Sequence, residues 1–225
     1  MWIRAKNAPY AGVMSSVETS DHRSGRARFS YPVFLDLDGV RCLVVGGGRI
    51  GARKAEGLAA AGARVRLVAT DVSDHVDRDR FDEVVEEAFE RRHLDGVRLV
   101  ITATGDVATD QAIADAARSA GIWTNAADQP VDCEFILPAI VRSGRVTGAI
   151  STDGASPALA KYLRDRLGEL LDERIAVVAD RLAAERQAIQ TSGGSTEDVD
   201  WSPRLAELLA DPDAPRAERP PTPEH

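Results

Sequence analysis

Cysteine is scarce: Cys42 and Cys133 are the only two in 225 residues. Two thiols this far apart build neither a disulfide framework nor a metal knuckle, and they fit a reduced cytosol. Histidine is as thin. His22 and His225 fall in the terminal stretches, His75 and His93 stand alone, and none has metal-ligand spacing, so no metal centre is expected. No apolar run approaches membrane-spanning length, and no apolar stretch follows Arg4 and Lys6 as a secretory leader would require; a soluble cytoplasmic protein is expected. Positive charge is in deficit, with 28 Lys and Arg against 36 Asp and Glu, a net charge of −8 and a pI near 5.1. That excludes general nucleic-acid affinity, and any anionic ligand must meet a local basic cluster. Two catalytic signatures are also missing. There is no G-x-x-x-x-G-K-[ST] segment, which excludes a P-loop nucleotidase, and Tyr162 has Arg166 rather than lysine four residues on, which disfavours a short-chain dehydrogenase.

What is present is a glycine turn. Leu43-Val44-Val45 runs into Gly46-Gly47-Gly48-Arg49-Ile50-Gly51 and then into an alanine-rich segment with Ile50, Ala55, Leu58 and Ala61 on one helical face. A second apolar strand, Ala63–Ala69, follows. In this β-α-β setting G-x-G-x-x-G predicts a dinucleotide site: Gly46 for the tight turn, Gly48 for close approach of a pyrophosphate, Gly51 for helix-strand packing, and free helix amides for the phosphate charge. The acidic residue that grips the ribose of NAD is displaced, since the strand ends Leu67-Val68-Ala69-Thr70 and Asp71 comes late. Asp71 reads equally as the N-cap of a following helix. No arginine follows at once to receive a 2′-phosphate, which favours NAD over NADP.

Further along, Phe81–Glu90 suits either a helix or a short third strand near Val84–Ala88, and the topology favours the strand. Val97–Ala103 is a fourth strand, Thr104-Gly105-Asp106 a loop, the segment to Ser119 a helix, and Ile122-Trp123-Thr124 a fifth strand. The pattern predicts an α/β, Rossmann-type parallel sheet with helices on both faces and its ligand at the strands' carboxyl ends. It changes at Ile136, where Ile136–Val141, a Ser143-Gly144 turn and Arg145–Ser151 read as a hairpin. Ser156-Pro157 opens a helix carrying Leu159, Leu163, Leu167 and Leu170, a second helix spans about Glu173–Gln190, and Ser202-Pro203 opens a third. The expected organisation is an extension over 1–29, the nucleotide domain over 30–137, a hairpin-plus-helix module over 138–171, a C-terminal helical module over 172–210 and a solvated tail over 211–225.

Six motifs in order carry a resemblance: Tyr31-Pro32-Val33-Phe34-Leu35-Asp36-Leu37; Gly46-Gly47-Gly48 with Arg53-Lys54; Thr102-Ala103-Thr104; Asn125-Ala126-Ala127-Asp128; Phe135-Ile136-Leu137-Pro138-Ala139; and Ile150-Ser151-Thr152-Asp153-Gly154-Ala155-Ser156-Pro157. Over Tyr31 to Gln190 the chain resembles the siroheme synthase dehydrogenase/ferrochelatase domain, also called precorrin-2 dehydrogenase. The resemblance implies NAD-dependent oxidation of precorrin-2, a tetrapyrrole with eight carboxylates, to sirohydrochlorin, and in some members insertion of ferrous iron to give siroheme. It implies an intertwined homodimer made by the module after the nucleotide domain, hence a dimerisation role for 138–171. The methyltransferase domain fused to some members would not fit in this length.

On the same footing, Asp128 is the implied catalytic carboxylate, although Ala126-Ala127 replaces the usual valines and an aspartate before Gln129-Pro130 also suits a plain turn cap. Gly46, Gly47, Gly48, Arg49, Ile50, Gly51, Thr70, Asp71, Thr102, Ala103, Thr104 and Asn125 are the candidates for NAD, with Asn125 equally suited to anchoring its loop. Ser151, Thr152, Gly154, Ser156, Arg142 and Lys161 are the candidates for substrate. Between Pro138 and Gly168 five basic residues (Arg142, Arg145, Lys161, Arg164, Arg166) face two acidic ones (Asp153, Asp165), a local +3 in an acidic chain. For each of them a solvated helix face with i,i+4 pairing is the alternative. Two further readings stay open: a dehydrogenase without chelatase activity, ranked above the bifunctional enzyme, and an NAD-sensing regulatory module without catalysis.

Overall fold

The computed structural model describes residues 28–211, so the segments expected as an extension and a tail lie outside the described residues apart from 28, 29 and 211. The chain divides after Val33, and every element below belongs to the unit that starts at Phe34.

Five strands form one parallel sheet: β1 (Arg41–Gly47), β2 (Arg64–Val72), β3 (Glu83–Glu86), β4 (Leu99–Thr102) and β5 (Trp123–Ala126), in the order β3-β2-β1-β4-β5. β1 is central and buried on both faces, as its unbroken apolar run demands. Its period-two alternation sorts the core. Cys42 and Val44 face helix α1 (Arg49–Ala59) with Ala55, Leu58, Leu67 and Ile101, while Leu43 and Val45 face helix α2 (Val107–Ser119) with Val68, Val100, Ile113 and Ala117. An 11-residue helix such as α1 is marginal alone, and this apolar packing holds it. Because β2 lies on one side of β1 and β4 on the other, the chain reverses direction across the sheet between β1 and β4. A crevice opens there outside the strands' carboxyl ends.

Two expectations change. β2 does not stop at Ala69 but runs through Thr70 and Asp71 to Val72, because the pairing of β1 with β2 slips between Val45 and Gly47 and brings Gly47 opposite Val72. The Gly47 carbonyl then accepts both the Ser73 amide (3.0 Å) and the Ser73 hydroxyl (2.9 Å), which extends the ladder. No α-helix follows; the next helical turn is the 3₁₀ turn Arg78–Arg80, so Asp71 caps nothing and sits in the strand. β3 confirms the strand reading of the ambiguous segment. It is tied to β2 by the Arg66–Glu83 pair (2.6 Å) and by the Asp82 carboxylate accepting the Val65 amide (2.9 Å), and 3₁₀ turns rather than α-helices flank it.

The second expected change of architecture is present. β6 (Ala139–Ser143) and β7 (Val146–Ile150) form an antiparallel hairpin around a Gly144-Arg145 turn, with Gly144 at φ 54°. The first strand begins three residues later than expected, since Pro138 has no amide for the ladder. The hairpin packs on α3 (Pro157–Leu170) and α4 (Glu173–Thr191), and α5 (Ser202–Ala210) returns to α4 through Arg204 and Glu185, 2.9 Å apart. Among the described residues no helix is long and apolar enough to cross a membrane.

Candidate active site

The glycine turn sits at the crevice. Gly46 has φ 127°, and a Cβ there would collide with the Ala103 carbonyl at the end of β4; a Cβ on Gly51 would collide with the Gly46 carbonyl. These two glycines close the turn onto β4 and α1 onto the turn. Gly48 is different: its backbone is extended (φ −82°, ψ 178°), and a Cβ would meet nothing within 4 Å. It is the N-cap of α1, and no side chain caps the helix, so the first-turn amides of Arg49, Ile50 and Gly51 are left for an anion. Arg49 and Ile50 are exposed beside them. The extended β2 carries exposed Thr70 and Asp71 to the same edge, with the Asp71 backbone packed directly on Gly47. Asp71 is therefore the penultimate residue of the second strand, near the position of the fingerprint's acidic residue. These residues fit a dinucleotide.

On the other flank, Thr102 is fully buried; its carbonyl accepts the Ala127 amide at 2.9 Å, and its hydroxyl is the one buried side-chain polar atom without a partner among the described residues. Its side chain is enclosed in the sheet just below the strand's carboxyl end. Ala103 and Thr104 are half-buried at the rim. Thr104 donates its amide (3.1 Å) and its hydroxyl (2.9 Å) to one oxygen of Asp110, a carboxylate buried in the first turn of α2. Asp106 caps that helix by accepting the Thr109 amide at 2.8 Å, and hydrogen bonding to the Thr109 side chain, then to its amide, holds the carboxyl below the usual range.

Beyond β5 the loop carrying Asp128 begins. Asn125 is buried, accepting from the Lys54 ammonium (3.1 Å) and donating to the Phe135 carbonyl (3.0 Å). Both ends of its amide are engaged, so it anchors the loop. Burial, reinforced by Arg53, pulls the Lys54 amine below its ordinary pKa, against the opposing pull of Cys133 and Asp128. The buried Cys133 thiol closes the loop from inside, accepting the Ala126 amide (3.2 Å) and donating to the Ala126 carbonyl (3.3 Å). Asp128 projects from this frame. It has φ 60°, is exposed, and its carboxylate makes no hydrogen bond among the described residues, so it is not the turn cap that its position before Gln129-Pro130 suggested.

The substrate candidates lie on the hairpin-plus-helix module: Arg142 on β6, Lys161 on α3 and the others in the loop between β7 and α3. Ser156 caps α3 by accepting the Leu159 amide (3.2 Å), and the Thr152 hydroxyl accepts the Ser156 amide (3.2 Å) and donates to its carbonyl (3.1 Å). Ser151 accepts the Asp153 amide (3.0 Å), and Gly154, at φ 81°, leaves the turn surface open. Arg145, Arg164 and Arg166 are paired with Asp180, Asp165 and Glu169, each at 2.6 Å. Arg142 and Lys161 are exposed and form no ion pair among the described residues. The three arginines are paired at the surface, though none at i,i+4: Arg166–Glu169 is i,i+3, Arg164–Asp165 adjacent and Arg145–Asp180 crosses from the hairpin to α4. No group of His, Cys, Asp and Glu among the described residues could hold a metal.

Sequence reasoning missed Asp110, gave Lys54 no role and treated Gln129 as a local variation. A signal existed for the first two. Asp110 stands on the stripe of Ile113, Ala114 and Ala117, and Lys54 on that of Gly51, Ala55 and Leu58, each a charge on an otherwise apolar face.

Known proteins share this arrangement. An NAD(P)-binding family model matches residues 33–139, and a model of the sirohaem biosynthesis protein central region matches 149–170. A siroheme synthase from Nitrosomonas eutropha is 42% identical over 145 residues, 63% of this chain and 30% of that protein, and one from Citrobacter koseri is 35% identical over 193 residues, 81% and 42%. The solved structure of SirC, precorrin-2 dehydrogenase, is 31% identical, covers 80% of this chain and 87% of its own, and superposes with a TM-score of 0.59. The chain belongs to the siroheme synthase and precorrin-2 dehydrogenase family. It spans about a third of the length of the siroheme synthases it matches first. The family's two matched regions meet here at the hairpin: the nucleotide-binding match ends at residue 139, where β6 begins, and the sirohaem match covers the end of β7 and α3. The NAD(P)-binding match spans the glycine turn, and a nicotinamide cofactor fits the family.

Proposed function

We propose that this chain is a precorrin-2 dehydrogenase, oxidising precorrin-2 to sirohydrochlorin with NAD⁺ in the cytoplasm. The observation that carries this reading is Asp128: an exposed carboxylate without a hydrogen bond among the described residues, in a left-handed backbone conformation, on the carboxyl edge of the sheet that bears the glycine turn. Gly48, the first-turn amides of α1 and Asp71 would hold NAD⁺, which would supply the two-electron acceptor. Asp128 takes the proton that leaves the macrocycle. Arg142, Lys161, the Gly154 turn and the α3 N-terminus hold propionate and acetate groups. Asp71 at the end of β2 favours NAD over NADP, because its carboxylate would repel a 2′-phosphate.

A homodimer completes the proposal. Among the described residues only Leu167 of the leucine stripe of α3 packs on the hairpin, at Gly148; Leu159, Leu163 and Leu170 are 48%, 40% and 71% exposed and Tyr162 60%, and Ala160 alone is buried on that helix. A second copy of the module is the cover proposed for it.

The test is anaerobic turnover of precorrin-2 with NAD⁺ and, in parallel, NADP⁺, following reduced cofactor and the sirohydrochlorin spectrum. Reduced cofactor formed with NAD⁺ supports the dehydrogenase; tight NAD⁺ binding without turnover overturns it in favour of a nucleotide-sensing module. Ferrous iron added afterwards reads out the second reading, chelation, for which the same unpartnered carboxylate could accept the pyrrole protons.

A further inference from the structure

We propose that Lys54 and Asp110 are positioning residues that grip the Asp128 loop from both sides, through Asn125 and Gln129. The inference rests on the catalytic reading of Asp128. The loop leaves β5 at Ala126 and carries Asp128 in a left-handed conformation that an L side chain rarely adopts, so something must hold it. Its backbone is bonded on either side of Asp128: the Ala127 amide reaches the Thr102 carbonyl (2.9 Å), the Gln129 amide the Ala126 carbonyl (3.3 Å), and the Gln129 carbonyl accepts the Asp132 amide (3.0 Å) and the Cys133 thiol (3.4 Å). On one side Lys54 of α1 donates to Asn125 (3.1 Å), three residues before Asp128. On the other, Asp110 of α2 accepts the side-chain amide of Gln129 (3.4 Å), the next residue, on the oxygen that Thr104 leaves free.

Lys54 comes from the helix that opens at the glycine turn, and Asp110 also fixes Thr104 on the loop beyond β4. The grip therefore ties the carboxylate to the two flanks of the crevice and fixes its height above the sheet. Both groups are drawn out of water on helix faces that are otherwise apolar, a cost with no return for packing alone. Each reaches the loop through an amide, and Lys54 also lies close enough to Asp128 for the two charges to attract. A misplacement of the order of 1 Å is enough to slow a proton transfer severely.

The experiment compares full-length wild type with Asp128→Ala, Lys54→Met, Gln129→Glu and Asp110→Asn/Gln129→Glu, in anaerobic turnover and in NAD⁺ binding measured by calorimetry. Gln129→Glu sets two carboxylates against each other at the clasp; the double variant removes one charge and restores a donor–acceptor pair. Expected are an inactive Asp128→Ala, a fall in kcat of about tenfold in Lys54→Met and Gln129→Glu with KM for precorrin-2 and Kd for NAD⁺ within about twofold, and recovery of kcat in the double variant. Gln129 is only half-buried, so its variant keeps the fold even where Lys54→Met does not. An inactive Asp128→Ala beside a Gln129→Glu variant of wild-type kcat, or a double variant no faster than Gln129→Glu, overturns the clasp alone. Full turnover by Asp128→Ala overturns the catalytic reading and the clasp with it.

Discussion

Gly48 and Gly51 stand three residues apart and should answer substitution in opposite ways. Gly51→Ala drives a Cβ into the Gly46 carbonyl, so it should cost about 1–3 kcal/mol of stability, seen in urea unfolding. Gly48→Val adds its side chain where no protein atom lies and should unfold like wild type, yet weaken NAD⁺ binding by about tenfold or more in a calorimetric titration. Equal nucleotide affinity in that variant would misplace the cofactor. Asp128→Asn, nearly isosteric, should fold and bind NAD⁺ normally while losing most precorrin-2 oxidation, because an amide accepts no proton at neutral pH. The glycines were legible because their constraint is local: a turn of given hand, a backbone that must come close. For Asp110 and Lys54 the sequence showed a charge on an apolar face but not its role, since their partners Gln129 and Asn125 lie on another part of the chain and only the folded sheet brings them within reach.

Helix α2 carries a pH-dependent cap. Hydrogen bonding to Thr109 holds the Asp106 carboxyl below its ordinary value, so its contribution is present above the unfolded carboxylate pKa, near 4, and is lost as pH falls through the lower folded value. Asparagine also caps, without titrating. The Tm advantage of wild type over Asp106→Asn should therefore be present near neutrality and shrink as pH falls below about 4; a difference independent of pH would mean that the carboxylate charge does not contribute. Elements whose ends carry such local signals were legible, as α3 was from Ser156-Pro157. The end of β2 was not. It is set by the Gly47 carbonyl catching Ser73, a contact across the sheet, and that single slip converts Asp71 from a supposed helix cap into the acidic end of the strand.

Taken whole, the chain combines a well-buried sheet with a C-terminal module whose helices bury little: α3 encloses only Ala160 and α4 only Val178. The leucine stripe was plain in the sequence, but periodicity tells which face is apolar and not what covers it. If a second copy does, Leu163→Glu should yield a monomer in sedimentation and lose precorrin-2 turnover, with NAD⁺ binding by the sheet domain retained. The central position of β1 has a consequence in time. Its second neighbour, β4, starts at Leu99, and the Gly46 turn closes only against Ala103. A nascent chain that has just finished β2 already holds every glycine of the fingerprint, yet lacks the wall on which they close. Nucleotide should therefore arrive as a late guest during synthesis, locking a sheet already assembled rather than templating its first half.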